Sequence, residues 1–128
     1  MTNKKIRLGP IIIGVKNIEM VKSFYVNVFE IEIKEESDHY LSAYLGDTHI
    51  EIEEDSENRF PNWAKHNVGT YKCSEFFVDD ISIFLEKVRA NGGKIINDPI
   101  QRPWGLCAEV ADPDGNIFLI SQKPFVSS

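Results

Sequence analysis

The sequence predicts an α+β fold made of two tandem βαβββ modules, and three observations predict it. An apolar run followed by an amphipathic stretch occurs twice, once near the start and once past the midpoint. Sliding the chain by 63 residues lays Val15 on Val78, Asn17 on Asp80, Ile18 on Ile81 and Ile33 on Ile96. Each occurrence is followed by three short strand-like segments separated by turn residues.

The elements follow in order. Ile11, Ile12, Ile13 and Val15 form an apolar run that reads as a buried strand. Ile18, Val21, Tyr25, Val28 and Phe29 then recur at helical spacing behind Asn17, whose short polar side chain suits an N-cap. Three strands are expected at Ile31–Lys34, Tyr40–Leu45 and Thr48–Glu53, the last two joined at Gly46-Asp47. In the second half Phe76–Val78 reads as a strand. Ile81, Phe84, Leu85 and Val88 give a helical stripe behind the cap Asp80, and Asn91-Gly92-Gly93 ends it. Strands follow at Lys94–Asn97, around Leu106–Ala111 and at Ile117–Gln122, with a turn at Asp112-Pro113-Asp114-Gly115-Asn116. The expected organisation is one domain over 1–128, with modules at about 8–54 and 71–122 and a linker at about 55–70. One helix would cover one face of each four-stranded sheet, and the other faces would curl around a shared cavity.

Composition narrows the class of protein. At 128 residues, with 42% hydrophobic and 27% charged residues, the chain is neither disordered nor fibrous. The net charge of −6 comes with no basic stripe, which excludes a nucleic-acid footprint. Its longest apolar stretch, Leu8–Val15, has eight residues broken by Gly9, Pro10 and Gly14, too few for a membrane span. Acids concentrate in the first half, with 12 against 7 bases over residues 1–64 and 8 against 7 over 65–128. Most of the excess lies between Asp47 and Glu57, which reads as a solvated strand end and loop. Cys73 and Cys107 form no spaced framework, so a cytoplasmic chain without disulfides is expected.

These residues resemble the vicinal oxygen chelate superfamily, which groups the glyoxalases, bleomycin-resistance proteins and extradiol dioxygenases. Three signatures carry the resemblance over roughly Gly9 to Gln122. They are Gly14-Val15-Lys16-Asn17 running into Ser23-Phe24-Tyr25; Phe77-Val78-Asp79-Asp80 with Gly92-Gly93 beyond the helix; and Trp104-Gly105 followed by Asp112-Pro113-Asp114-Gly115-Asn116 and Leu119–Gln122. One departure is Phe29-Glu30, where the family usually has Leu-Gly, so the first helix must end without a glycine. The fold implied is the glyoxalase/bleomycin-resistance fold.

Family enzymes hold a divalent metal with four side chains, typically His and Glu, one from each of four strands. Imidazole and carboxylate suit such ions, and an open coordination position polarises a bound oxygen. The resemblance places those positions at Pro10, Glu51, Cys73 and Leu119, of which Pro10 and Leu119 offer no electron pair. One carboxylate and one thiol do not make a stable site, so no metal cofactor is expected. The histidines are His39, His49 and His66. His49, Glu51 and Glu53 share one strand face but span roughly 13 Å, too far to meet at one ion unaided. Neither cysteine has a partner base in sequence, and both are expected to pack as inert side chains.

A metal-free cavity would be lined by Ile12, Glu51, Cys73, Glu75, Ile117 and Leu119, with Phe60 and Trp63 from the linker and Trp104 ahead of the seventh strand. Aromatic faces plus a few carboxylates suit planar or cationic ligands. Buried Glu51 and Glu75 would need water or a cation beside them. The resemblance is strongest in character to the branch that sequesters antibiotics, in which paired protomers commonly form the pocket, so a homodimer with a small-molecule ligand is implied. Two other readings stay open. One is a superfamily lyase, isomerase or dioxygenase with altered ligands or with Glu51 or Glu75 as general base. The other is an accessory module whose cavity is vestigial.

Overall fold

The computed structural model describes residues 5–54 and 75–123 of the chain. It contains β1 (Ile11–Val15), α1 (Ile18–Val28), β2 (Glu32–Glu36), β3 (Tyr40–Leu45), β4 (Thr48–Glu54), β5 (Phe76–Val78), α2 (Ile81–Ala90), β6 (Lys94–Arg102), β7 (Gly105–Ala111) and β8 (Ile117–Gln122). The strands form two four-stranded sheets, ordered β1-β4-β3-β2 and β5-β8-β7-β6. In each sheet the first strand runs parallel to its neighbour and the other pairs are antiparallel, so each sheet is mixed. The two βαβββ modules expected from the repeat are therefore present, in the expected order.

Both helices start as their sequences dictate. Asn17 accepts a hydrogen bond from the Met20 backbone N–H, and Asp80 from that of Ile83. A long-range contact repeats as well: Glu54, ending β4, accepts from the Ile18 N–H, and Gln122, ending β8, accepts from the Ile81 N–H. Each helix is thus tied to the strand that precedes its module's open end, which satisfies another of its first N–H groups.

The helix ends differ. Gly92 takes the left-handed conformation after α2, at φ 85°, and Gly93 N–H closes the cap on the Val88 carbonyl at 2.9 Å. Gly93 is required for a second reason. A Cβ there would lie 2.5 Å from the Phe24 ring and 2.7 Å from the Ala111 carbonyl oxygen. After α1 the left-handed position falls on Glu30, at φ 58°, the one described non-glycine residue with a positive φ. The helix does end without a glycine, at a conformational cost of about 1 kcal/mol.

Two strands, β6 and β2, depart most from the sequence expectation. The β6 strand runs five residues beyond Asn97, to Arg102, passing through Pro99. It is an edge strand, and its pairing with β7 slips between Asn97 and Ile100, so proline removes no needed ladder bond. β2 begins at Glu32 because Ile31 is turned into the core, and its ladder is irregular between Ile33 and Glu35.

The helix-covered faces of both sheets merge into one core. Ile13, Leu41, Ala43, Ile50 and Ile52 contribute from the first module, and Ala108, Val110, Phe118 and Ile120 from the second. Aromatic rings join them: Phe29 lies 4.5 Å from Phe76, 5.6 Å from Phe84 and 5.2 Å from Phe118, centroid to centroid. Such ring pairs add to the burial term and fix the angle between modules.

Candidate functional site

Strand alternation sends the remaining side chains to the face of each sheet that carries no helix. On the first sheet this face holds Ile12, Tyr40, Ser42, Tyr44, His49, Glu51 and Glu53. Ile12 stands directly opposite Glu51, Ser42 opposite Glu51, Tyr44 opposite His49 and Tyr40 opposite Glu53. Ser42 Oγ and His49 Nε2 share a hydrogen bond of 2.8 Å, and Tyr44 stacks on the imidazole at 4.8 Å. Glu51 Oε1 lies 3.8 Å from the same ring nitrogen. The negative charge of Glu35 raises the Tyr40 hydroxyl above the ordinary phenol range, with desolvation, the hydrogen bond to Glu35 and then Glu51 and Glu53 adding to it.

The second sheet's face is built around Leu119, which pairs with Glu109. A cavity of about 350 Å³ opens there, lined by Asn97, Ile100, Arg102, Trp104, Glu109 and Leu119 among others. Its volume lies within the usual range for small-molecule pockets. Trp104, half exposed, donates its indole N–H to Cys107 Sγ at 3.0 Å. Behind it a polar chain runs inward. Ser121 Oγ donates to Glu75 at 2.7 Å, and the buried Cys107 thiol meets Ser121 Oγ at 3.2 Å. Glu75 therefore has a hydroxyl donor, a partner not foreseen from sequence. Asn97 donates from Nδ2 to the Asp98 carbonyl, which leaves its Oδ1 buried with no hydrogen-bond partner among the described groups.

The residues singled out from sequence are thus distributed over two faces. Ile12 and Glu51 stand together on the first, and Glu75, Trp104, Ile117 and Leu119 belong to the second module. Cys73, Phe60 and Trp63 lie outside the described residues. Pro10 precedes β1 and Leu119 lines the cavity as a hydrocarbon, so neither can donate to a metal. Among the described residues no three His, Cys, Asp or Glu side chains converge as an ion would require. Of the four positions at which the resemblance places ligands, Glu51 alone among the described residues carries a donor side chain. Sequence reasoning missed Ser42, Asn97 and Arg102. Ser42 carried a signal, since it alternates with Leu41 and Ala43, whereas Asn97 and Arg102 depended on the unforeseen extension of β6.

Two mixed four-stranded βαβββ sheets around a shared helix-side core define the glyoxalase class of fold. The sequence profile of the Glyoxalase/Bleomycin resistance protein/Dioxygenase superfamily matches residues 7–120, and the chain belongs to that superfamily. A glyoxalase/bleomycin resistance protein/dioxygenase family enzyme from Burkholderia phytofirmans superposes with a TM-score of 0.76 at 21% identity, covering 91% of this chain and 98% of that one. A glyoxalase-related enzyme from Fulvimarina pelagi gives 0.75 at 18% identity, covering 91% and 88%. A genomically encoded fosfomycin resistance protein from Listeria monocytogenes gives 0.72 at 16%, covering 95% and 97%. At these identities the likeness establishes the fold. The uncharacterized protein YetH of Bacillus subtilis is 36% identical over 47 residues, which are 37% of this chain and 39% of that protein. No helix among the described residues is long and apolar enough to cross a membrane.

Proposed function

We propose that this chain binds a small organic molecule without a metal, on the second module's helix-free face, in a cup that a second copy of the chain completes. The observation that carries the reading is Leu119. A hydrocarbon stands where the resemblance would put a metal ligand, and it lines a cavity with Trp104 and Ile100. The Trp104 ring suits a flat or cationic portion of the ligand, and Asn97 Oδ1 awaits an N–H or O–H donor. The Leu119 cavity is lined by second-module residues and does not reach the helix-free face of the first sheet. Ile12, Phe77 and Trp104, exposed on the helix-free faces, are available to a partner protomer.

A panel of cationic aromatic compounds, followed by thermal shift and calorimetry, tests the reading. Binding that Leu119→Trp abolishes, by a protein that sediments as a dimer, is expected. Stoichiometric nickel, zinc, iron or manganese in protein purified without chelator would overturn it.

Ser42, His49 and Glu51 favour a second reading, a superfamily enzyme that uses an acid–base group in place of the metal. His49 is placed to accept the Ser42 proton, and Glu51 to steady the imidazolium that results. Turnover of any ligand found, lost in His49→Gln with binding retained, would decide for it.

A further inference from the structure

Most polar groups around the Leu119 cavity already have partners. The Trp104 indole N–H is given to Cys107 Sγ, and that sulfur also meets Ser121 Oγ and the Gly105 carbonyl. Glu109, opposite Leu119 on the sheet, has an interaction partner of its own. Asn97 gives its Nδ2 to the Asp98 carbonyl.

Two polar groups of the lining remain open. Asn97 Oδ1 is buried and accepts no hydrogen bond, a cost that a donor brought by a ligand removes. Arg102 accepts at its backbone carbonyl from Gln101 Nε2, and its guanidinium has no partner among the described residues. That guanidinium is a planar fork of N–H donors suited to two parallel bonds with a carboxylate.

These two groups stand at opposite ends of the cavity. Asn97 pairs with Glu109 and Arg102 with Gly105, so their backbones lie about 13 Å apart along the sheet. Arg102 owes its place to the extension of β6 past Pro99. Between the two ends the wall is apolar and flat, made by Ile100, Leu119 and the half-exposed Trp104 ring.

Resting on the reading of this cavity as a small-molecule site, the geometry points to the class of its ligand: an aromatic carboxylate that carries an amine at the opposite end of its ring. The carboxylate takes the Arg102 fork, the ring lies on Trp104 against Leu119, and the amine donates to Asn97 Oδ1. A single ring substituted at both ends, with a hydrogen bond of about 2.9 Å at each, is matched to that separation. The volume of about 350 Å³ admits such a compound.

Calorimetry on the full chain with 4-(aminomethyl)benzoate, 4-methylbenzoate and 4-methylbenzylamine tests this. The compound with both groups is expected to bind about tenfold more tightly than the benzylamine and about fivefold more tightly than the methylbenzoate. Arg102→Gln, a change at an exposed position, should bring it down to the level of the benzylamine and leave the benzylamine itself unaffected. Asn97→Ala should bring it down to the level of the methylbenzoate, whereas a merely structural Asn97 would lower Tm and leave that difference in place. Benzylamine binding that Leu119→Trp abolishes, with no gain from the added carboxylate, would overturn this assignment and leave the metal-free cavity standing. Equal affinity for all three probes, or a carboxylate gain that survives Arg102→Gln, would overturn it as well. No binding of any probe would overturn both.

Discussion

The turn Asp112–Asn116 and the turn Gly46-Asp47 occupy equivalent places in the two modules, yet one closes the seam between them and the other leaves it open. The difference is chemical as well as steric. Asp112, nearly fully buried, accepts from the Tyr25 hydroxyl, from the backbone N–H groups of Asp114 and Asn116, and from Asn116 Nδ2. A single carboxylate thus organises its own turn and reaches across to α1. The shorter turn has only Gly46 and Asp47, whose carboxylate is exposed, and its neighbour Leu45 borders a cavity of about 320 Å³ at the end of α1. A repeat fixes the placement of its elements, and the residues of its turns decide what the junction becomes.

Removing the organising carboxylate breaks the comparison most directly. Asp112→Ala orphans several buried donors at once and should cost at least about 3 kcal/mol, read from urea denaturation. Tyr25→Phe removes one of those donors and leaves the turn's own bonds, so about 1–2 kcal/mol is expected. At the open end truncation should cost less. Leu45→Ala borders a space that is already empty, so its cost should stay below about 2 kcal/mol, the lower limit for a well-packed leucine. Should Leu45→Ala prove as damaging as Asp112→Ala, the two ends are not energetically distinct. The smallest effect is electrostatic. Because Glu35 is the leading cause of the raised Tyr40 pKa, Glu35→Gln should move that ionisation down toward the ordinary range. A spectrophotometric phenol titration checks it. The sign follows from charge: an adjacent carboxylate disfavours the phenolate, and an amide does not.

Much of this was legible in the chain itself. Asn17 and Asp80 were readable as caps because a short polar side chain ahead of an apolar helical stripe satisfies N–H groups within three residues. The strand faces were readable because alternation is local: Ile12 and Glu51 share a register position in the first sheet, and Leu119 stands opposite Glu109 in the second. The length of β6 was not readable, since Pro99 signals a break and only its edge position makes it harmless. The partner of Glu75 was hidden for another reason: Ser121 lies 46 residues away and is brought near by the parallel pairing of β5 with β8.

The order of elements, their exposed and buried faces and the helix caps follow from the sequence alone, because each depends on residue type and on spacing within a few positions. Tertiary structure decided that Trp104, Cys107, Ser121 and Glu75 form one chain, that Asp112 locks α1 across the seam, and that the opposite end stays open. Those outcomes depend on how two packed modules meet, and packing brings together residues whose separation along the chain carries no local signal.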